Sequence, residues 1–128
     1  MAERRLTGID HLTKRMAVLG QLRPTDTNAA SLYAPAANVI GIVMRVVICN
    51  TTGGGLSYRL FIDADGTTYD ETTALAFDVA IAANVSVLFD LGPFGLPMPD
   101  SAGHLAARSS AGSGLTFTAW GYELLGEG

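Results

Sequence analysis

The stretch that most constrains the fold is the apolar run from Val39 to Cys49, which holds one glycine and one charged residue before a Thr-Thr-Gly-Gly-Gly break. It is too short for a transmembrane helix, which needs about 20 apolar residues, and its Val and Ile content favours a β-strand. Strand side chains alternate between two faces. The alternation predicts two apolar faces, Ile40, Ile42, Met44, Val46 and Ile48 on one and Val39, Val43, Arg45, Val47 and Cys49 on the other. One face can enter a domain core, and the other needs a second cover.

Beyond this run, alternating strand patterns continue to the C-terminus, separated by Gly, Asn, Asp and Pro turns. We predict strands in SLYAPAAN, SYRLFID, TALAFDVAI, NVSVLFDLG, HLAARSS and GLTFTAWGYELL. The inward residues of the third of these are predicted to be Leu75, Phe77, Val79 and Ile81. In the last strand, Leu115, Phe117, Ala119 and Gly121 are predicted on one face and Thr116, Thr118, Trp120 and Tyr122 on the other. Such spacing predicts an all-β fold, an antiparallel β-sandwich of jelly-roll type with seven to eight strands.

The N-terminal segment differs from the rest of the chain. Ile9, Leu12, Met16 and Leu19 have helix-like spacing that ends at Gly20, so a short helix and an extended arm both fit. We predict an arm and linker over residues 1–30 and a single β-sandwich domain over residues 31–128, since 128 residues suit one domain.

Composition and charge indicate a protein that assembles with other chains. The sequence is 48% hydrophobic and 16% charged, against about 25% charged in typical soluble domains. No stretch has the pattern of a membrane span or a signal peptide, so cover by other protein chains is the expected reason. Residues 1–24 carry five basic and two acidic side chains, a balance of +3, and the remainder carries three and ten, or −7, which together give the net −4.

The basic N-terminal segment is therefore expected either to dock on an acidic neighbour, including another copy of this chain, or to be a solvated tail. Nucleic-acid binding is not expected, because the basic residues are few and no aromatic residue lies among them.

No group of residues predicts catalysis, and no enzyme activity or cofactor is expected. His11 and His104 have no metal-binding spacing, and Cys49 is the single cysteine. The segment DADGTTYDE places Asp63, Asp65, Asp70 and Glu71 around Gly66. Because the spacing of a calcium loop is incomplete and Asp-Gly is a common hairpin turn, we favour a plain acidic turn, with a bound cation as the alternative.

Three segments follow one another in a recognisable order: LGQLRPTDTNAASLYAPAANVIGIVMRVVICNTTGGGLSYRLFI, AFDVAIAANVSVLFDLG and SSAGSGLTFTAWGYEL. This order, over about Gly20 to Leu124, resembles small virion structural proteins of tailed bacteriophages. In these proteins a G-Q-L arm leads through a T-x-L-Y segment into a V-x-x-x-V-V-x-C-N strand. The chain departs from the pattern at residues 36–38, where the family has a glycine-lysine turn. The resemblance implies a β-sandwich subunit of the virion, commonly a trimer.

The resemblance and the apolar surface together predict a non-enzymatic bacteriophage virion protein, a trimer that decorates and cements the capsid and attaches to it through its N-terminal arm. The expected partners are copies of itself and the major capsid protein or another virion protein. A tail, collar or baseplate protein is one alternative, and a carbohydrate- or receptor-binding sandwich that uses Trp120, Tyr122 and the DADGTTYDE carboxylates is another. The residues predicted at a subunit or capsid interface are Arg4, Arg5, Lys14, Arg15, Leu19, Leu22, Arg23, Val43, Arg45, Val47, Leu88, Trp120 and Tyr122.

Overall fold

The computed structural model describes residues 13–125, which form nine β-strands in two antiparallel sheets and contain no helix. The predicted antiparallel β-sandwich is confirmed. The strands are β1 (Thr13–Leu22), β2 (Ala30–Tyr33), β3 (Val39–Asn50), β4 (Leu56–Asp63), β5 (Ala74–Ile81), β6 (Ser86–Asp90), β7 (Leu96–Met98), β8 (His104–Ser109) and β9 (Leu115–Leu125).

The strand β3 lies at the centre of the larger sheet, which we call sheet 1. Its strand order is β1-β9-β3-β6, and the short β7 pairs with the first part of β3 on the same side as β6. The second sheet, sheet 2, has the order β2-β8-β4-β5. Each sheet turns one face toward the other, and the core lies between these two inner faces.

The core consists mainly of aliphatic side chains with a few aromatic rings. Phe117 of β9 packs edge-on against Tyr58 of β4 with 6.4 Å between ring centroids, which joins the two sheets. The predicted faces of β9 are confirmed, since Leu115, Phe117, Ala119 and Gly121 are buried and the intervening residues are half-buried on the other face. Further fully buried side chains are those of Val43, Val46, Ile48, Leu60, Leu105 and Ala107.

Asn50, the last residue of β3, is a buried polar side chain whose hydrogen bonds shape the following turn. Its amide nitrogen donates to the carbonyl oxygens of Gly54 at 2.9 Å and Ile81 at 3.2 Å. Its oxygen accepts from the backbone amide of Thr52 at 2.9 Å. Because Ile81 ends β5, this one side chain connects the end of β3 in sheet 1 to sheet 2, and its polar atoms are satisfied despite full burial.

A β-bulge in β3 overturns part of the predicted alternation. The pairing of β3 with β9 shifts by one residue between Val43 and Arg45. Gly41 and Val43 therefore point inward before the bulge, and Val46 and Ile48 point inward after it. Val43 was predicted on the same face as Val47, and that placement is wrong because the extra residue at Met44 reverses which face each following side chain takes.

A second irregularity, in the edge strand β5, overturns the predicted inward position of Phe77. The register between β4 and β5 shifts near Leu60, and Asp78 has a φ of +54°. Ala76 is buried in the core instead, whereas Phe77 is 36% exposed and lies beneath the guanidinium of Arg59. The added residue turns Phe77 to the outer side of sheet 2.

The N-terminal boundary of the sandwich also differs from the prediction. Residues 13–22 were predicted as part of an arm or short helix. They form β1 instead, and β1 pairs with β9 from one end of β1 to the other. The sandwich thus begins before residue 31, and the prediction for residues 1–12 lies outside the described residues.

The strand β7 was not predicted, because its Pro97 lacks a backbone N–H and proline is rare in strands. Proline is tolerated here because β7 pairs only with β3 and therefore lies at an edge.

The bulge in β3 predicts different stabilities for two valine-to-alanine variants. Val43→Ala removes a fully buried side chain and is expected to lower the free energy of unfolding by about 2 kcal/mol, from lost transfer energy and an added cavity. The matched control Val47→Ala, on the outer face, is expected to cost less than about 1 kcal/mol. Urea denaturation at a protein concentration low enough for the chain to be monomeric measures both values, because Val47 lies on the face that could also contact another chain. Equal losses, or a larger loss for Val47→Ala, would contradict the bulged register.

Candidate interaction surface

The outer face of sheet 1, the face turned away from sheet 2, carries mainly apolar side chains. The strand register aligns Met16, Tyr122 and Ile42 in one row across β1, β9 and β3. The next two rows are Val18, Trp120 and Arg45, followed by Gln21, Thr118, Val47 and Leu88. Neighbouring side chains on one face of a sheet lie about 5 Å apart, so these rows form a single surface.

This surface is exposed in the isolated chain. Met16 is 57% exposed, Val18 61% and Leu88 55%, and Tyr122 and Trp120 between them are half-buried. Four strands about 4.8 Å apart and three rows about 6.8 Å apart give a face of roughly 390 Å². A standard protein interface takes about 800 Å² from each partner, so this face supplies about half of one such interface.

The centre of the outer face combines an aromatic ring with one cation. The guanidinium carbon of Arg45 lies 5.2 Å from the ring centroid of Trp120, within cation–π range. On its other side, Arg45 Nε lies 3.9 Å from the carboxylate of Asp90 on β6. Both partners of this ion pair are substantially exposed, so it contributes little to stability in the isolated chain. Trp, Tyr and Arg are the residues that most often dominate binding energy at interfaces.

The outer face of sheet 2 differs because the chain covers it with its own residues. Phe61 points to this face and is only 1% exposed. Tyr69, from the β4–β5 loop, lies with its ring centroid 6.0 Å from that of Phe61, and Phe77 lies at 6.5 Å on the other side. The loop that contains DADGTTYDE therefore folds back over sheet 2 and forms a small second hydrophobic cluster.

Charged side chains complete the cover of sheet 2. Arg59 donates two hydrogen bonds to the carboxylate of Asp78, from Nε at 2.7 Å and from Nη2 at 3.0 Å. Arg108 approaches the same carboxylate at 3.9 Å and donates from Nε to the carbonyl oxygen of Thr27 at 2.6 Å. The hydrogen bond from Arg59 holds the pKa of Asp78 below its usual value. Sheet 2 thus presents a polar, internally paired outer face.

The carboxylates of the β4–β5 loop accept hydrogen bonds from the loop itself. Asp63 accepts from the backbone amides of Thr67 and Thr68, each at 2.7 Å. Asp65 accepts from the hydroxyl of Thr67 at 2.8 Å, and Asp70 accepts from the hydroxyl of Thr72 at 2.6 Å. These bonds are those of an Asx-turn loop. Among residues 13–125, no three His, Cys, Asp or Glu side chains are grouped as metal ligands.

Five of the predicted interface residues share the outer face of sheet 1: Arg45, Val47, Leu88, Trp120 and Tyr122. Their role at an interface stays a prediction. Val43 was also predicted there, and this is wrong because its side chain is fully buried between the sheets. Sequence reasoning missed Met16 and Val18 on this face, because β1 was not predicted as a strand. Their i, i+2 spacing was the available signal.

The remaining predicted residues belong to the N-terminal part of the chain. Arg4 and Arg5 lie outside the described residues, and Lys14 and Arg15 lie within β1. Leu19 and Leu22 are half-buried and pack against the core. Arg23 donates from Nη2 to the carbonyl oxygen of Ser113 at 2.8 Å, which ties the end of β1 to the loop before β9. Residues 13–23 are therefore an integral part of the sandwich.

Comparisons with known proteins find solved structures whose fold is similar to that of this chain. No protein-family model matches the sequence, and no curated protein matches it. A crystal structure of the infectious bursal disease virus particle matches with a TM-score of 0.50 and 18% identity, over 88% of this chain and 30% of that chain. The VP2 subviral particle of the same virus has a TM-score of 0.47 and 18% identity, over 93% and 34%. The tobacco streak virus coat protein has a TM-score of 0.43 and 9% identity, over 93% and 88%.

The first of these similarities shows that the chain shares a β-sandwich fold with a protein of a virus particle. The chain spans about a third of the length of the infectious bursal disease virus chains it matches. Within residues 13–125, no helix has the length and apolar character required to cross a membrane.

The hydrogen bonds of the β4–β5 loop predict a specific pH dependence. The amide of Thr68, with smaller contributions from Asp65 and Thr67, holds the pKa of Asp63 below its usual value. A carboxyl with a lowered folded pKa stabilises the fold above its unfolded pKa of about 4, and this stabilisation is lost as pH falls through the folded pKa.

Asp63→Ala is therefore expected to be less stable than the wild type at pH 7, and the difference is expected to shrink as pH falls below about 4. Urea denaturation of both proteins across this pH range measures the difference. A difference that stays constant down to pH 2 would show that the ionised carboxylate does not hold the loop.

Proposed function

We propose that this protein is a non-enzymatic structural subunit of a virus particle and that it assembles with other copies of itself through the outer face of sheet 1. The observation that carries the proposal is the difference between the two outer faces. The chain covers sheet 2 with Phe61, Tyr69, Phe77 and a charged network, whereas Met16, Val18 and Leu88 of sheet 1 are each more than half exposed. An uncovered apolar face of this size is typical of an interaction surface.

A second copy of this chain is the occupant that we propose for the outer face. The roughly 390 Å² of the three rows are about half of the area that one partner contributes to a standard interface. The centre of the face holds Trp120, Tyr122 and Arg45, and the polar residues Gln21 and Asp90 lie on its two edge strands. Trp, Tyr and Arg are the residue types most enriched where binding energy is concentrated at an interface.

The virion assignment has two supports. The fold is shared with a protein of the infectious bursal disease virus particle. The sequence from Gly20 to Leu124 resembles small virion proteins of tailed bacteriophages, which implies a trimeric subunit that decorates or cements the capsid and contacts the major capsid protein. Copy number separates this role from a tail, collar or baseplate role, since hundreds of copies per particle fit a capsid lattice and a handful fit a tail.

A charged substitution on the outer face tests the assembly surface. The wild-type chain, of 13.4 kDa, is expected to elute as an oligomer, at twice this mass if the outer faces of two copies pack on each other and at three times this mass for a trimer. Leu88→Asp places a carboxylate in the apolar face, which is expected to weaken association by at least about tenfold, because an unpaired charge is costly to desolvate. Size-exclusion chromatography with light scattering across a concentration series measures the change.

Ala80→Asp is the matched control, because it adds the same charge at an exposed strand position on the outer face of sheet 2. It is expected to associate as the wild type does. A wild-type protein that stays monomeric, or a Leu88→Asp variant that assembles normally, would refute the proposed surface.

A further inference from the structure

Residues 91–99, with the sequence LGPFGLPMP, contain no charged, hydroxyl or amide side chain. They join β6 to β7 and continue just past the end of β7. Four of these residues are exposed, namely Pro93, Phe94, Pro97 and Pro99. The β4–β5 loop, by contrast, consists mostly of acidic and hydroxyl residues. Exposed apolar side chains grouped in one segment are typical of an interaction site.

Phe94 is held in solvent by the turn in which it lies. Its side chain is 87% exposed. The amide of Gly95 donates to the carbonyl oxygen of Gly92 at 3.3 Å, which closes the turn around Pro93 and Phe94. Pro93 restricts its own φ, and Gly92 and Gly95 have φ values of +89° and +74°, a region that favours glycine. The ring is therefore presented on a defined backbone turn.

This turn borders the outer face of sheet 1 at the bulge of β3. The strand β7 pairs with β3 before the bulge and β6 pairs with β3 after it, and the amide of Leu91 donates to the carbonyl oxygen of Met44 at 3.0 Å. A Cβ atom at Gly95 would lie 2.7 Å from the side chains of Ile42 and Met44, so the turn packs directly against them. Pro97 lies opposite Ile42 and adds a fourth member to the first row of the outer face.

A cleft of about 260 Å³ lies beside the same edge, between β7 and the end of β4. Its apolar walls are provided by Ile62, Pro97, Met98 and Pro99. Asp63 and Asp100 also line it, and their carboxylates accept hydrogen bonds from backbone amides of their own loops. An apolar cavity of about 150 Å³ is sufficient for benzene, so the cleft is large enough for a phenyl ring.

We propose that Phe94 of one copy of this chain inserts into the cleft of a neighbouring copy. Phe94 does not fill the cleft of its own chain, because its ring is 87% exposed. The proposal rests on the proposed assembly through the outer face of sheet 1 and names a contact that completes it. Each copy offers one ring and one cleft, so a closed ring of copies fills every cleft.

The area of the outer face supports this additional contact. Its three rows supply about half of what one partner contributes to a standard interface. A buried aromatic side chain adds roughly 150–250 Å². With Phe94 and the walls of the cleft included, the contact area of each copy comes closer to that of a standard interface. Because residues 91–99 adjoin the first row, the same neighbour can cover both.

Phe94→Ala tests the energetic contribution of the ring. Association is expected to weaken at least about tenfold, because a buried phenyl ring is lost from the interface. The free energy of unfolding of the monomer is expected to be unchanged, because the ring is mostly exposed in the isolated chain. Light scattering across a concentration series measures association, and urea denaturation of the dilute protein measures stability.

Phe77→Ala is the matched control for this substitution. It removes the same ring from the outer face of sheet 2, where Phe77 lies beneath Arg59. It is expected to associate as the wild type does.

Isotope-filtered NMR of mixed oligomers tests the contact itself. Chains with carbon-13 in their Ile and Ala methyl groups are mixed with unlabelled chains. Nuclear Overhauser effects are expected from aromatic protons of the unlabelled chain to the methyl groups of Ile62 and Ala64 in the cleft of the labelled chain. They are expected to vanish when the unlabelled chain carries Phe94→Ala and to remain when it carries Phe77→Ala.

Three results would overturn the insertion of Phe94. They are wild-type association of Phe94→Ala, contacts of the neighbour's Phe94 with Met16 and Val18 instead of the cleft, and ring-to-methyl contacts found only within one chain. Leu88→Asp separates this failure from a failure of the proposed assembly surface. If Leu88→Asp is monomeric and Phe94→Ala assembles normally, the insertion is wrong and the outer face stands. If Leu88→Asp assembles normally and Phe94→Ala does not, the outer face is wrong and the insertion stands. A wild-type chain that stays monomeric refutes both.

Discussion

Both faces of the central strand β3 are apolar, and the rest of the molecule is arranged around the need to cover them. The inner face is covered by sheet 2, which buries Val43, Val46 and Ile48 completely. The bulge at Met44 makes this possible, because it keeps these three residues on one side although their spacing does not alternate. The same bulge leaves Ile42, Arg45 and Val47 together on the outer face.

The two sheets differ in what covers their outer faces. Sheet 2 uses the β4–β5 loop, in which the carboxylates serve as hydrogen-bond acceptors that hold Tyr69 over Phe61. On sheet 1, by contrast, Met16, Val18 and Leu88 are each more than half exposed. A chain with only 16% charged residues has few charged side chains with which to cover both outer faces. The proposed assembly through sheet 1 would remove its apolar rows from water.

Much of this fold follows from periodicity in the sequence. Strict alternation in GLTFTAWGYELL predicted the two faces of β9, and Trp120 and Tyr122 were placed correctly on the outer one. Periodicity fails where a bulge adds a residue, because one extra residue exchanges the faces without changing the apolar pattern. Val43 and Phe77 were misplaced for this reason. The strand β1 was missed because its apolar residues fit a helical period as well as a strand, and only its pairing with β9 decides between them.

Trp120 offers the most direct measurement of the central claim, since it is the single tryptophan in the sequence and lies at the centre of the outer face. Its fluorescence emission and its quenching by acrylamide are followed across a protein dilution series in parallel with the measured mass. If the outer face of sheet 1 is the assembly surface, the emission moves to shorter wavelength and quenching falls as the chains associate. An oligomer in which Trp120 stays as accessible as in the monomer would contradict this account.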